Sequence, residues 1–484
     1  MITQTFKACT AVLSFAGFSS IVAQESQSKP NIIFILADDL GYGDVSCYNP
    51  YSKISTPNID RLAANGMRFT DAHSGSALST PTRYSLLTGR YSFRSRIKSG
   101  VLNNESEPLI EADRMTVGRF LQTNGYHTAC FGKWHLGVIW ARNSDNSINY
   151  NGRITEGPAT RGFDYYFGVN QNNSTFFIEN DRIVEAPTVP KPDGMYGGAG
   201  LMAPGWTYEN LLPTLTSRVI DYIKNTSCKR DSENPFFIYY AANAPHTPIA
   251  PTDEFKGTSN AHLYGDFIQQ LDNNIGQIMK ALEDMGIVDN TLVIVSSDNG
   301  PMHWDGTNMQ GGSTSIFKYG HNPSYPLRGK KSDIWEAGHR VPFVVHWPAQ
   351  IPSNTVNDEL ISQIDFMATC AGILGVTLPE GVGEDSYNML SVLKGKNTAP
   401  IRKELVNHSG RGMFALRQGN WKFILAGGSG GFTAPQTDTD AEKLGLPPIQ
   451  LYDMASDPEE TTNLYDRYPQ KVTELKQLLN SIIQ

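Results

Sequence analysis

Four short apolar runs, each followed at once by polar residues, constrain the fold of this 484-residue chain more than any other feature of its sequence. The runs are residues 31–37 (NIIFILA), 127–132 (HTACFG), 235–242 (PFFIYYAA) and 291–296 (TLVIVS). Continuous apolar runs of this length are typical of strands buried on both faces of a parallel sheet. In such a sheet ligands bind at the carboxyl ends of the strands. We therefore expect the polar residues that follow the runs to form a site: Asp38, Asp39, Lys133, His135, Asn243, His246, Asp298 and Asn299.

Helical patterns lie between these runs. They cover residues 57–65, 116–124, 208–224 and 264–285. Strands that alternate with helices predict a doubly wound α/β fold, in which helices flank a large, mostly parallel sheet. After about Pro352 the pattern changes to a hairpin over residues 415–425, with its turn at Gly419, and a closing helix over residues 472–483. We therefore predict a large α/β domain over residues 24–352 and a smaller C-terminal α+β subdomain over residues 353–484.

The first 23 residues have the pattern of an export signal. Lys7 gives a positive start, residues 8–22 are apolar or small, and Ala23 is a suitable cleavage position. The protein is therefore predicted to be exported, to the periplasm or the medium, and no other long apolar run predicts a membrane span. The net charge of −8, without a Lys/Arg run, argues against nucleic-acid binding. The five cysteines are widely spaced and assign no disulfide.

The most informative stretch is residues 77–89, ALSTPTRYSLLTG. Pro81 and Gly89 are placed to begin and end a helix, so Ser79 would lie just before a helix N-terminus, where an anion is favoured, with Arg83 one turn later. A lone S-x-P-x-R pattern would be explained as well by a capping serine and an exposed arginine. The whole stretch, however, resembles the formylglycine-generating signature of the type I sulfatases, in its serine form, within the alkaline-phosphatase superfamily.

This resemblance implies a modification and a metal. Ser79 would be oxidised to formylglycine (3-oxoalanine) by an oxygen-independent maturase that acts before folding, and the hydrated aldehyde would be the nucleophile. One calcium ion would be bound by the formylglycine oxygen at position 79 and by Asp38, Asp39, Asp298 and Asn299. Oxygen ligands of this kind suit calcium, whereas zinc prefers His or Cys. Taken singly, the two acidic pairs would more simply be turn residues.

Three further segments resemble sulfatase sequences. Residues 125–135 (GYHTACFGKWH) contain Lys133 and His135, and residues 243–248 (NAPHTP) contain His246. Residues 327–342 select Lys331 over its neighbour Lys330. The roles that the resemblance implies are sulfate binding by Arg83, Lys133 and Lys331, proton transfer from His246, helped by Lys331, to the leaving oxygen, and base roles for Asp298 and His135. The expected activity is hydrolysis of sulfate esters, of sulfated carbohydrates or of aryl sulfates.

Two other functions stay open at this level. A phosphatase or phosphodiesterase of the same superfamily would bind two zinc ions, but the chain has no D-x-x-x-H-x-x-H cluster. A non-catalytic glycan-binding protein would result if Ser79 stayed unmodified. Pocket walls are predicted in residues 170–196, 302–325 and 408–414, with five candidates for sugar recognition: His303, Trp304, His321, His408 and Arg411. Residues 452–464 resemble a C-terminal sulfatase segment that we expect to be architectural.

Overall fold

The computed structural model describes residues 28–227 and 234–484, so the predicted signal over residues 1–23 lies outside the described residues. The strands are β1 (Asn31–Asp38), β2 (Met67–Phe69), β3 (Ala72–His73), β4 (His127–Lys133), β5 (Tyr165–Val169), β6 (Ile178–Glu179), β7 (Arg182–Ile183), β8 (Val189–Pro190), β9 (Leu201–Met202), β10 (Phe236–Pro245), β11 (Thr291–Ser297), β12 (Phe343–His346), β13 (Thr355–Asn357), β14 (Ile361–Ser362), β15 (Glu404–His408), β16 (Phe414–Gln418), β17 (Trp421–Ile424) and β18 (Gln450–Asp453). The α-helices are α1 (Pro57–Ala64), α2 (Ser79–Thr88), α3 (Val117–Thr123), α4 (Leu211–Ser227), α5 (His262–Asp284), α6 (Glu336–His339), α7 (Phe366–Leu374), α8 (Leu390–Leu393), α9 (Asp438–Lys443) and α10 (Pro469–Ile483).

The large sheet has ten strands in the order β13-β2-β12-β11-β1-β10-β4-β5-β6-β7. The five central strands are parallel to one another: β11, β1, β10, β4 and β5. The next strand on each side, β12 and β6, is antiparallel to its central neighbour. The four predicted apolar runs form four of these parallel strands, β1, β4, β10 and β11. The predicted doubly wound, mostly parallel sheet is therefore confirmed.

Each central strand is buried on both faces, because its alternate side chains enter two different cores. In β1, Ile33 and Ile35 pack in one core, with residues of α1, α4 and α5. Ile32 and Phe34 pack in the other core, with residues of α2, α3 and α7. Side chains of a strand alternate between the faces of the sheet, so a continuous apolar run requires helices on both sides.

The C-terminal part forms an antiparallel sheet in the order β15-β16-β17-β18. The predicted hairpin is β16 and β17, which pair from Ala415↔Ile424 to Gln418↔Trp421, with Gly419 at the turn in a left-handed conformation (φ 54°). Helix α10 packs on this sheet through Val472, Leu475 and Leu479. The predicted small α+β unit is therefore present.

The predicted boundary after residue 352 remains a prediction. The strand that follows it, β13, pairs in parallel with β2 and so extends the large sheet. Helix α7 contributes Phe366, Met367 and Cys370 to one of the cores of that sheet. Within residues 28–227 and 234–484, the structure contains no helix long and apolar enough to cross a membrane.

Candidate active site

The predicted site residues meet at one edge of the large sheet. Asp38 is the last residue of β1 and Lys133 the last of β4, while Asp298 directly follows β11 and His246 directly follows β10. These four strands are parallel neighbours, so their carboxyl ends lie side by side. The sheet thus brings together residues that lie up to 260 positions apart in the chain.

Two residues at this edge have backbone conformations that non-glycine residues rarely adopt. Asp39 has φ 69° and His135 has φ 55°. The backbone N–H of Asp39 donates to Asp298 Oδ1 at 3.1 Å, and the N–H of His135 donates to the carbonyl of Asn170 at 2.9 Å. Strain of this kind persists only where the surrounding structure fixes it, and it is concentrated at functional sites.

Ser79 is the first residue of α2, not the residue before it as the sequence predicted. The helix is buried all round and ends at Gly89, which is left-handed (φ 64°) as its predicted terminal position requires. Arg83 lies one turn after Ser79, and its Nε donates to Ser79 Oγ at 2.8 Å. Both side chains are almost completely buried.

Three carboxylates and three cations surround Ser79. Arg83 Nη2 lies 2.8 Å from Asp298 Oδ2, Lys133 Nζ lies 2.7 Å from Asp38 Oδ2, and Lys331 Nζ lies 2.7 Å from Asp39 Oδ1. All three pairs are buried or nearly so, and the charges of the six side chains balance.

The pKa values at the site follow from burial and from these pairs. Burial alone would raise the pKa of Asp38, but Lys133, His246 and Arg83 outweigh it and hold the pKa well below the usual value. Burial and the nearby charge of Asp38 raise the pKa of Asp298 to about 6. Burial alone would lower the pKa of Lys331, but Asp39 and Asp38 raise it, so the ammonium group stays charged.

The two predicted histidines have defined tautomers. His135 Nε2 lies 3.1 Å from the carbonyl of Leu102 and therefore carries the proton, which leaves Nδ1 to accept from Ser79 Oγ at 3.1 Å. His246 Nδ1 donates to the carbonyl of Thr247, so its Nε2, 3.8 Å from Asp39 Oδ2, is the free nitrogen. Burial, assisted by Lys331, lowers the pKa of His246 to about 4, and burial, assisted by Lys133 and Arg83, lowers the pKa of His135 well below 6.5.

Among the described residues, two of the predicted calcium ligands have a buried oxygen atom without a hydrogen-bond partner: Asp38 Oδ1 and Asn299 Oδ1. Buried polar atoms are rarely left unpaired, so each such atom needs an explanation, and an ion is one. Asn299 Nδ2 donates to Asp39 Oδ1 at 2.7 Å, which leaves the amide oxygen of Asn299 free for another contact. Carboxylate and amide oxygens are the ligands that calcium prefers, so the residues present fit this ion.

Ser79 opens into a cavity of about 480 Å³. Predicted site residues form its inner part: Ser79, Lys133, His135, His246 and Lys331. Other lining residues come from loops: Leu78, Gly100, Val101, Met302, Trp304, Ser332, Gly410, Arg411, Gly431 and Phe432. Of the two neighbouring lysines, Lys331 is among the described residues that line the cavity and Lys330 is not.

Three of the five predicted sugar-recognition candidates do not line this cavity. His303 packs on Phe317 and bonds to Ser324, His321 Nε2 bonds to Asp44 Oδ1 at 2.7 Å, and His408 Nε2 bonds to Ser92 Oγ at 2.8 Å. Each of the three has a hydrogen-bond partner of its own. Trp304 and Arg411 do line the cavity.

The sequence prediction missed Asn172 and Phe432. Asn172 Nδ2 donates to Asp38 Oδ2 at 2.7 Å, alongside Lys133. Its place within the predicted wall over residues 170–196 was the one available signal. Phe432 follows a glycine-rich loop, and nothing in its local pattern points to the cavity.

Comparisons with known proteins agree with this geometry. The profile of the family described as Sulfatase matches residues 30–376. The chain is 34% identical to an N-acetylgalactosamine-6-O-sulfatase of Bacteroides thetaiotaomicron (95% of this chain, 94% of the relative) and 32% identical to human arylsulfatase A (94% and 87%). A solved structure from work on glycosaminoglycan metabolism by Bacteroides thetaiotaomicron superposes with a TM-score of 0.82 at 34% identity, covering 94% of this chain and 100% of that one. The chain therefore belongs to the sulfatase family and is a sulfuric ester hydrolase.

Proposed function

We propose that this sulfatase removes sulfate from sulfated carbohydrates, with Ser79 converted to formylglycine and one calcium ion bound by Asp38, Asp39, Asp298 and Asn299. The observation that carries the proposal is the position of Ser79 Oγ, which lies 2.8 Å from Arg83 Nε and 3.1 Å from His135 Nδ1. Ser79 Oγ, the proposed nucleophile position, therefore contacts both a cation and a proton acceptor, and Ser79 lines the cavity.

The charges of the site support binding of a sulfate group. Three carboxylates already balance Arg83, Lys133 and Lys331, so a bound divalent cation would leave a net positive site for the sulfate oxygens. When present, formylglycine supplies a hydrated aldehyde as nucleophile and calcium polarises the reacting oxygens. Arg83 and Lys133 are buried and fixed by their partners, so they stabilise developing charge without reorganisation.

The two histidines are suited to proton transfer in opposite directions. His246 Nε2 faces the site, and a bound sulfate ester would add negative charge and favour its protonated form, which could donate to the leaving oxygen. His135 is neutral and presents Nδ1 to position 79, so it could accept a proton there. Asp298, whose Oδ2 lies 2.8 Å from Arg83 Nη2, is proposed as the base during attack.

A carbohydrate substrate is supported by the relatives and by the cavity. One relative is named as an N-acetylgalactosamine-6-O-sulfatase. The cavity of about 480 Å³ has room for a sugar ring. The predicted signal over residues 1–23 supports an exported enzyme of glycan degradation. An oxygen-independent maturase is proposed as the partner that modifies Ser79 before folding.

Of the alternatives, the two-zinc phosphatase has less support. The unpaired atoms at the site are oxygens of a carboxylate and an amide, which favour a hard cation over zinc. The glycan-binding alternative requires an unmodified Ser79, and the contacts of Ser79 Oγ with Arg83 Nε and His135 Nδ1 favour the catalytic proposal over it.

The proposal is tested on protein produced with and without an anaerobic maturase. Mass spectrometry of the peptide containing residue 79 should show the loss of two hydrogens only with the maturase, and only that protein should hydrolyse a panel that includes N-acetylgalactosamine 6-sulfate. Calcium should restore activity after chelation and zinc should not. Full activity with an intact serine would contradict the nucleophile, and activity on phosphate esters restored by zinc alone would favour the phosphatase.

A further inference from the structure

Phe432 lies at the rim of the cavity that contains Ser79, and 47% of its surface is exposed. Single exposed apolar side chains are common on proteins, so exposure alone assigns no role to the ring. What distinguishes Phe432 is the way in which its backbone is held, because the loop around it is tied to the segment that carries Lys331.

The buried carboxylate of Asp333 connects the two segments through hydrogen bonds. Its Oδ1 accepts hydrogen bonds from the backbone N–H of Phe432 at 2.7 Å and of Thr433 at 3.0 Å, and its Oδ2 accepts from the N–H of Lys330 at 2.9 Å. Asp333 is fully buried, and burial of a carboxylate is unfavourable unless such donors compensate it. The side chain is therefore used to join two loops, 330–333 and 428–433.

The two loops also touch through glycine. A Cβ atom on Gly431 would lie 2.4 Å from Asp333 Oδ1 and 2.5 Å from Asp333 N, so only glycine allows this approach. Gly431 directly precedes Phe432. The position of the ring at the rim is therefore set by contact with Asp333, not by the glycine-rich loop alone.

The same segment fixes the sulfate end of the cavity. Ser332 has a left-handed backbone (φ 78°), and its N–H donates to the carbonyl of Ala77, two residues before Ser79, at 2.8 Å. The N–H of Lys331 donates to the carbonyl of Pro301 at 2.9 Å. Residues 331–333 thus connect Lys331, the segment before Ser79 and Phe432 in one rigid unit.

We propose that Phe432 is a specificity-determining residue, whose ring binds the C–H face of the sugar that carries the scissile sulfate, and that Asp333 is the residue that positions it. A pyranose has an apolar face of C–H groups, and an aromatic ring offers a flat apolar surface of matching size. Trp304 and Met302 line the same cavity and add further apolar surface. This inference rests on the proposed carbohydrate substrate.

The first test compares Phe432→Ala, Phe432→Trp and the control Tyr468→Ala in formylglycine-bearing enzyme. Tyr468 is 45% exposed but packs on Trp421, away from the cavity. With N-acetylgalactosamine 6-sulfate, or another sulfated sugar that the wild type hydrolyses, Phe432→Ala should raise KM about tenfold with kcat almost unchanged, while Phe432→Trp and Tyr468→Ala stay near wild type. Inhibition by inorganic sulfate should be the same in all four proteins, because free sulfate has no sugar ring.

An unchanged KM in Phe432→Ala would overturn the role of Phe432 while leaving the proposed substrate intact. A wild-type enzyme that hydrolyses aryl sulfates but no sulfated sugar would instead overturn the substrate proposal, and this inference with it. A weaker inhibition by sulfate in Phe432→Ala would show that the change disturbs the sulfate site, and would also contradict the proposed role.

The positioning role of Asp333 is tested with Asp333→Asn, alone and combined with Phe432→Ala. The amide keeps the shape of the side chain but replaces one acceptor oxygen by a donor, so the hydrogen bonds to both loops cannot all form. Asp333→Asn should raise KM in the wild type and much less in Phe432→Ala, because the ring it positions is then absent. Equal effects on KM in the two backgrounds would show that Asp333 does not act through Phe432.

Discussion

Arg83 makes hydrogen bonds to three separate parts of the site. Its three nitrogens donate to Ser79 Oγ, to the carbonyl of Lys133 and to Asp298 Oδ2 at 2.8–3.0 Å. The guanidinium therefore links position 79 to the ends of two strands, β4 and β11. It also lies within the stretch that the maturase is proposed to bind.

We expect Arg83→Ala to lower kcat by about 10²–10³, because a preorganised donor near the developing charge is lost. The control is Arg90→Ala, since Arg90 follows the same helix but pairs with Glu384 outside the site. Both variants are assayed after circular dichroism confirms the fold and mass spectrometry confirms formylglycine. Wild-type kcat in modified, folded Arg83→Ala would mean that the sulfate site is elsewhere.

At the scale of elements, a buried charge network joins the C-terminal sheet to α6 of the large unit. Lys422 on β17 lies 2.8 Å from Glu336 Oε1 and 2.8 Å from Glu460 Oε1, with all three side chains buried. Arg417 on β16 lies 3.0 Å from Asp71 Oδ2. Helix α6 directly follows the segment that carries Lys331 and Asp333. The network therefore anchors the chain next to two residues that shape the cavity.

Lys422→Met should destabilise the protein strongly. Removing one partner of a buried ion pair leaves an uncompensated charge and typically costs about 3–5 kcal/mol. Lys280→Met, which breaks an exposed pair with Asp284, should cost less than about 1 kcal/mol. Denaturant midpoints of the two variants measure the difference, and similar midpoints would contradict a structural role for the network.

The network also predicts a loss of stability in acid. Burial alone would raise the pKa of Asp71 and of Glu336, but Arg340 and Arg417 around Asp71, and Lys422 beside Glu336, hold both pKa values well below the usual range. Their contribution to the free energy of unfolding is therefore present above the unfolded-state pKa of about 4 and is lost as pH falls below it. Below about pH 4, the Tm of Asp71→Asn should fall less steeply with pH than the Tm of the wild type. The control Asp113→Asn, at an exposed site, should show the same decline as the wild type. Parallel declines in the wild type and Asp71→Asn would contradict this assignment.

Two acidic residues of the segment at residues 452–464, which is predicted to be architectural, have different environments: Asp457 and Glu460. Asp457 is half-buried and accepts hydrogen bonds from the N–H groups of Thr461 and Thr462 at 2.9 and 2.8 Å. Glu460 is buried against Lys422. Asp457→Ala should therefore lower the free energy of unfolding by about 1 kcal/mol, and the kcat of the folded enzyme should not change. A large fall in kcat at unchanged Tm would place Asp457 in the chemistry instead.

At the scale of the whole molecule, the two sheets share enough structure to unfold together. Besides the charge network, Asn407 Nδ2 donates to the carbonyl of Ser74, and the N–H of Gly410 donates to the carbonyl of Ser332. One apolar cluster contains Tyr91 and Phe93 as well as residues of β16 and α10. The four-stranded C-terminal sheet therefore packs closely on the active-site region of the large unit.

We expect one cooperative thermal transition for the full chain. The buried charges of the network would lose their partners if either sheet unfolded first, so partial unfolding is unfavourable. Differential scanning calorimetry, with circular dichroism in the near and far ultraviolet, measures whether the transitions coincide. Two separated transitions would instead support independent domains with a boundary close to residue 352.

Local patterns of the sequence were sufficient to predict the parallel sheet and most of the residues grouped at its edge. Apolar runs and their polar ends are local patterns, and parallel strands bring their carboxyl ends to one edge, so Asp38, Lys133 and Asp298 could be grouped without coordinates. The stretch around Ser79 is also local, and the spacing of Ser79 and Arg83 is one helical turn, which fixes their contact.

The residues of the outer wall of the cavity, in contrast, could not be predicted from local patterns. Asp333 and Phe432 are about one hundred residues apart, and their contact depends on two irregular loops whose backbones follow no periodic pattern. For the same reason His303, His321 and His408, which are chemically suitable for sugars, proved to be bonded elsewhere. Side-chain chemistry states what a residue could bind, whereas its position in a loop is set by long-range packing that a local pattern does not encode.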